Sequence, residues 1–205
     1  VLEPLAPHAR AVAGFADEAG VAEPTASLFS QLGTLLLSKA TYTEAEPLLR
    51  RAQTIDEMNF GQGHPMVAIR LNNLAQLLKT TNRLEEAEVL MRRALVHAEV
   101  KGDEKGPTLA VRLNNLATLL FETKRFPEAE ALMRRTLAID ETIHGPDHER
   151  VAVGLNNLAQ MLVATSRLLE AEPLMRRALA IDEQRCGLTH PNVARDMNNL
   201  AMLLV

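Results

Sequence analysis

The sequence predicts an all-α solenoid, a stack of antiparallel helix pairs, and three observations predict it. The string Leu71-Asn72-Asn73-Leu74-Ala75 recurs from Leu113 to Ala117, from Leu155 to Ala159 and from Met197 to Ala201, each step being 42 residues. A second string, Glu86-Ala87-Glu88 followed by Arg92-Arg93-Ala94-Leu95, keeps the same period from Glu44 to Ala52, Glu128 to Arg135 and Glu170 to Leu179. Apolar residues make up 47% of the 205 positions but aromatics only 3%, with no Trp and a single Tyr. A core of Leu, Ala, Met and Val suits packed helices rather than a β-sandwich. A fixed period of this length is the mark of a repeat architecture.

Taken in order, residues 1–21 do not complete a repeat, and an incomplete unit or capping helix is expected there. The complete units are 22–64, 65–106, 107–148 and 149–190, and 191–205 is the first helix of a unit cut halfway. In the unit 65–106, helix A runs from Met66 to about Thr80, with Leu71, Leu74, Ala75 and Leu78 at i, i+3, i+4 and i+7. Helix B runs from about Leu84 to His97, with Leu84, Ala87, Leu90, Met91, Ala94 and Leu95 on one side. Thr81-Asn82-Arg83 is the turn between them, and Gly61 to Pro65, Gly145 to His148 and Gly187 to Pro191 separate the units. The small pairs Ala75 and Ala87, Gly33 and Ala45, Ala117 and Ala129, and Ala159 and Ala171 let the two backbones of a unit approach closely. One helix pair cannot bury its apolar face alone, so neighbouring pairs must stack.

The spacing Leu71, Leu74, Ala75, Leu78, Ala87, Met91, Ala94 resembles the tetratricopeptide repeat (TPR) consensus at successive signature positions. The period of 42, the doubled Asn and the Gly-x-x-His-Pro connector resemble the longer subclass found in kinesin light chains and bacterial relatives. Leu stands at the usual Trp and Tyr positions, as is normal for that subclass. The match spans residues 22–205, about nine-tenths of the chain. It implies a right-handed superhelix whose A helices line a concave surface, and a protein–protein interaction role. Glu3-Pro4-Leu5 and the Ala-rich stretch after it are similar to Glu46-Pro47-Leu48 of a helix B. This lead-in also resembles the start of repeat arrays carried by bacterial signalling NTPases downstream of their nucleotide-binding domain.

Helical geometry then defines the face. With Leu71 at zero and about 100° per residue, Val67, Leu71, Leu74, Ala75 and Leu78 centre at roughly −15°. Ile69, Asn73, Gln76 and Thr80 lie opposite. The candidate peptide groove therefore comprises Gln31; Ile69, Asn73 and Gln76; Val111, Asn115, Thr118 and Glu122; Val153, Asn157 and Gln160; and Arg195 and Asn199. Asn costs roughly 0.5 kcal/mol against Ala in a helix interior, so its repetition asks for a role. Two readings are open. An amide both donates and accepts, so Asn73, Asn115, Asn157 and Asn199 form a ladder able to hold an extended peptide backbone. That is also the role of matching Asn residues in TPR grooves, and it is preferred for these four. The alternative is bonding to neighbouring helices, preferred for Asn72, Asn114, Asn156 and Asn198 on the flank. Groove positions that are largely neutral argue against the basic clamp by which chaperone-binding TPR domains hold a terminal carboxylate. An internal, extended segment with small apolar anchors against Val111 and Val153 fits better.

Other signals are weaker. Net charge is −4 with a pI near 5.9, which supplies no electrostatic footprint for nucleic acid. The Arg pairs face Glu residues four positions earlier, Glu46 with Arg50, Glu88 with Arg92, Glu130 with Arg134 and Glu172 with Arg176, the order that favours self-pairing. His64, His148 and His190 fall a repeat or more apart and read as turn and inter-repeat hydrogen-bonding residues rather than metal ligands. No metal and no cofactor is expected, and no assembly of catalytic parts is legible. Cys186 is the single cysteine, so no internal disulfide can form and a reducing, cytoplasmic setting fits. No apolar run approaches the ~18 residues of a membrane span. Helix A of the last unit leaves Met197, Leu200, Ala201 and Leu204 without a helix B, so a longer native chain is expected, or self-association through this open end. The function expected is an interaction scaffold holding an extended segment of a partner protein. The alternative is a structural or sensor array of a larger signalling protein, contacting its own domains.

Overall fold

Each helix begins and ends where the residues of its period dictate. The computed structural model describes residues 6–100 and 106–204, which fold as ten helices with no strand among them: α1 (Ala6–Glu18), α2 (Ala22–Ser38), α3 (Tyr42–Phe60), α4 (Pro65–Thr80), α5 (Leu84–Val100), α6 (Pro107–Glu122), α7 (Phe126–His144), α8 (Glu149–Ala164), α9 (Leu168–Cys186) and α10 (Pro191–Leu204). Glu3-Pro4-Leu5 lies outside the described residues. The chain divides into two compact units, Val1–Lys101 and Gly102–Val205. The first holds α1 and the pairs α2/α3 and α4/α5; the second holds α6/α7, α8/α9 and α10. No described helix is long and apolar enough to cross a membrane.

The connector histidines are helix caps. The imidazole Nδ1 of His64, His148 and His190 accepts the backbone N–H two residues on, from Met66 at 3.3 Å, Arg150 at 3.2 Å and Asn192 at 3.3 Å. Each thereby satisfies a donor left open in the first turn of an A helix. His64 and His148 also stack on the end of the preceding B helix, at 4.4 Å from Phe60 and 4.5 Å from His144. Within each pair the turn passes through a left-handed residue: Ala40, Asn82, Lys124 and Ser166 have φ of 58°, 61°, 60° and 61°. None is glycine, so tight packing on both sides must hold the strained turn.

The small residues sit where the helices touch. Ala45, Ala75, Ala87, Ala117, Ala129, Ala159 and Ala171 are all fully buried. At Gly33 the approach is closer still, since a Cβ there would lie 2.6 Å from Leu49 Cγ and 2.7 Å from its Cδ2. The buried arc of an A helix is wider than the periodic stripe: Ala68 and Leu77 of α4 are fully buried beside Val67, Leu71, Leu74, Ala75 and Leu78. The reason is that α4 packs on both α3 and α5, as α8 packs on α7 and α9. In the first unit α1 packs on α2 and is tied to α3, with Arg51 donating to Asp17 at 2.6 Å and Arg10 to Glu44 at 2.9 Å. In the second, Leu200 and Leu203 of α10 rest against the cluster around Ala159, Leu162 and Met175. Leu200 is thus partly covered, unlike the expectation for an open end, whereas Met197 and Ala201 are exposed; the side chain of Leu204 lies outside the described residues.

The Glu–Arg pairs form as their spacing predicts, at 2.7 Å for Glu46–Arg50, 2.8 Å for Glu88–Arg92, and 2.7 Å for both Glu130–Arg134 and Glu172–Arg176. Arg83 and Arg167 extend them, each bridging a Glu of its own helix pair to one in the pair before, Glu86 with Glu46 and Glu170 with Glu130. Partial burial opposes ionisation of Glu46 and Glu130, but the guanidinium hydrogen bonds outweigh it and hold both below the usual carboxylate range. Such surface pairs orient helices more than they stabilise them.

Buried charge is handled differently in the two units. In the first, Arg70 Nε of α4 donates to Asp56 Oδ2 of α3 at 2.7 Å, with both residues buried. In the second, Asp182 of α9 meets Asp196 of α10, and both are 0% exposed. Asn156 Nδ2 donates to Asp196 Oδ1 at 2.8 Å, while Arg195 lies 2.9 Å from Asp196 and 3.4 Å from Asp182. Burial, and then the neighbouring Asp196, push Asp182 up from 3.8 to about 6. Asp182 therefore holds its proton at mildly acid pH.

Two outcomes follow. Gly33→Ala must displace the buried Leu49 and is expected to lower stability by about 1–3 kcal/mol in denaturant titrations, with Leu49→Ala partly relieving the overlap in the double variant. Between about pH 4 and 6 the unfolded chain releases the Asp182 proton while the folded chain keeps it. Unfolding then releases a proton, so this group's contribution falls as pH rises through that window, by up to about 1.4 kcal/mol per pH unit. Wild type and Asp182→Asn, compared by thermal melts across pH 3.5–7.5, should differ in that sense, the variant gaining on wild type as pH rises to 6 and no further above it.

Candidate functional site

The outward face of the A helices exists because their other residues are used up by packing. In the first unit it carries Gln31 of α2 with Ile69, Asn73 and Gln76 of α4. Gln31 and Gln76 are exposed, Ile69 is 40% exposed and Asn73 is half-buried. In the second it carries Val111, Asn115, Thr118 and Glu122 of α6, Val153, Asn157 and Gln160 of α8, and Arg195 and Asn199 of α10. Val111 and Val153 are each 41% exposed, Glu122, Gln160 and Arg195 are exposed, and the remaining four are half-buried.

The amides join neighbouring A helices. Asn73 Nδ2 donates to Ser30 Oγ of α2 at 3.1 Å, and Asn157 Nδ2 to Asn114 Oδ1 of α6 at 3.3 Å. The groove-facing and flanking rows, separable in sequence, are thus partners in space, residue i of one helix meeting residue i−43 of the last. One such bond leaves each donor amide a second N–H and a carbonyl oxygen. Thr118 Oγ1 bonds back to the Asn114 carbonyl at 2.8 Å. Arg195 turns toward Asp182 and Asp196, so it neutralises a buried acidic pair while keeping 42% of its side chain exposed. Asn199 Nδ2 is buried and has no hydrogen-bond partner.

Two clefts open on this face of the second unit. One, of about 330 Å³, lies between α8, α9 and α10 and is lined by Gln160, Val163, Leu168, Asn199, Met202 and Leu203, so Asn199, with its Nδ2 unpartnered, sits in a mostly apolar wall. The other, of about 360 Å³, lies between α6, α7 and α8, with Val111, Asn114 and Val153 joined by Asp140, Glu149 and Gly154. The sequence reading found Val111, Val153, Gln160 and Asn199 but missed the cleft floors. The signal for Gly154 was a break in the repeat, since positions 70, 112, 154 and 196 carry Arg, Arg, Gly and Asp, and the signal for Asp140 was its recurrence at Asp56 and Asp182. Among the described residues no group of three or more His, Cys, Asp or Glu converges to hold a metal ion.

This face thus carries apolar side chains, half-buried amides and two clefts. The family profile described as Tetratricopeptide repeat matches residues 24–99, 108–184 and 151–205. No curated protein matches the sequence. Among solved structures, BtubC (BKLC) from P. vanneervenii is 24% identical at a TM-score of 0.84, over 99% of this chain and 83% of that one. A putative kinesin light chain of P. anserina with nearly identical TPR-like repeats is 19% identical at 0.77, over 85% and 82%. The protein PilF of Pseudomonas aeruginosa is 22% identical at 0.63, over 86% and 68%. These likenesses are of fold, and the helix pairs described above are what is shared. Together with a profile match over most of its length, they show that this chain belongs to the tetratricopeptide repeat family, kinesin-light-chain-like in its repeats, a family of protein–protein interaction modules.

Proposed function

We propose that the protein is an interaction scaffold that holds an extended segment of a partner protein along the outward face of its A helices. One observation carries this reading: the two clefts of the second unit open on the face that also bears Val111, Val153 and the amides of Asn157 and Asn199. An extended backbone needs donors and acceptors wherever it leaves water, and amides with spare capacity supply both. Clefts of a few hundred cubic ångströms take alternate side chains of such a strand. The lone, half-buried Cys186 suits a cytoplasmic setting.

A second reading has its own observation. Met197 and Met202 of α10 are 54% and 69% exposed, an apolar surface through which the array would self-associate or pack on other domains of a larger signalling protein of NTPase type.

The two separate experimentally. A random peptide library displayed on phage is selected on the protein, and recovered peptides are resynthesised for affinity measurement. Val153→Glu is expected to weaken them at least about tenfold and Asn157→Ala about three- to tenfold, while Arg176→Ala, on an exposed B-helix site, leaves them unchanged. Peptides indifferent to Val153→Glu, or no recovered peptide, would overturn the groove reading. Light scattering that shows a dimer abolished by Met197→Glu with Met202→Glu would establish the second.

A further inference from the structure

We propose that the cleft between α6, α7 and α8 is a specificity pocket for one basic side chain, arginine above all, of the bound segment. This rests on the peptide-binding reading and adds to it the chemistry of one anchor.

The argument is a comparison of the chain with itself, 84 residues apart. Asp56 closes α3 and Asp140 closes α7 at equivalent positions, and both are buried, at 1% and 4% exposed. Asp56 is matched by Arg70, whose own side chain, 5% exposed as a residue, fills the space between the helices and donates at 2.7 Å. The position equivalent to Arg70 is Gly154. No side chain enters from position 154 itself, and a cleft of about 360 Å³ stands in that region, lined by Asp140, Gly154 and, one turn earlier on α8, Arg150.

What remains near Asp140 is a weak substitute. Arg150 Nε donates to Asp140 Oδ1, but at 3.3 Å and from a side chain 41% exposed, against 2.7 Å from the buried Arg70, and His144 Nε2 lies 3.9 Å away. A buried carboxylate is costly unless closely paired, and a guanidinium offers paired donors in a planar fork. The cleft suits the rest of an arginine as well. Val111 and Val153 flank it and would pack the methylene stem, and Glu149 adds a second carboxylate against the single charge of Arg150. Thr136, at a position that is Ala52 and Ala178 in other repeats, contributes a hydroxyl oxygen. An incoming arginine would therefore complete the second unit in the way Arg70 completes the first.

The test uses peptides recovered from the random library on the whole protein. Each arginine is replaced in turn by citrulline, which keeps the shape and removes the charge. One arginine position is expected to recur, and citrulline there should weaken binding about tenfold or more. Asp140→Asn should cut that ratio to about threefold or less. Gly154→Arg, which supplies the arginine from within, should abolish the preference as well; if circular dichroism shows it misfolded, Asp140→Asn alone decides. Peptides that bind in a Val153-dependent way without a basic preference would overturn the pocket and leave the groove standing, as would a citrulline penalty that survives Asp140→Asn. A library yielding no binder would overturn the groove reading itself, and the pocket with it.

Discussion

Everything in this molecule depends on how closely helix A approaches helix B inside a pair. The contact is made by Ala75 and Ala87, Ala117 and Ala129, Ala159 and Ala171, and Gly33 with Ala45, and every one of them is buried. Small side chains there let Leu residues on either side interlock, and a single added methyl group at Gly33 would overlap Leu49. Once the pair is this tight, its remaining apolar surface can only be covered by the next pair. Inside each unit an A helix then packs between two B helices, α4 between α3 and α5 and α8 between α7 and α9, which is why the buried arc exceeds one stripe. The residues left over form the outward face. Packing thus selects the surface available for binding.

A second constraint operates where a B helix hands over to the next A helix. Asp56, Asp140 and Asp182 occupy one repeat position, and burial obliges each to find a counter-charge or keep a proton. The next A helix offers Arg70 to the first, Gly154 to the second and Asp196 to the third. Three physical states result from one geometry: a closed ion pair, a carboxylate that lines an open cleft and is held by the half-exposed Arg150, and an acid with its proton affinity raised beside a second one covered by Arg195. Variation at a single position per repeat is enough to give otherwise similar helix pairs different chemistry.

The amides show why structural and binding roles are not exclusive. Asn73 and Asn157 tie consecutive A helices together, yet each such bond uses one of two N–H groups. A side chain fixed in this way is held in one rotamer, so it presents its remaining groups to a ligand with less entropy left to lose. The helix-to-helix bond therefore preorganises the same residue for contact with a peptide.

Local chemistry made much of this legible in advance. The period of 42, the apolar stripe and the turn residues fixed helices to within a few positions, Met66 to Thr80 being read where Pro65–Thr80 is found. The outward face followed from the angle per residue, and every candidate on it is at least partly exposed. What a sequence does not carry is the pairing of residues some forty positions apart. Asn157 with Asn114, Asn156 with Asp196 and Arg195 across Asp182 all arise where helices meet, and none leaves a periodic trace within its own helix. The cap made by each connector imidazole depends likewise on a rotamer chosen by the folded turn. The clefts are further from the sequence still, because they are made by what is missing. Gly154 breaks the repeat in the sequence, but only when α6 and α7 stand beside it does the missing side chain become a space lined by a carboxylate. Helix formation is decided by neighbours along the chain; the pairing of buried charge is decided by which helices the core brings together.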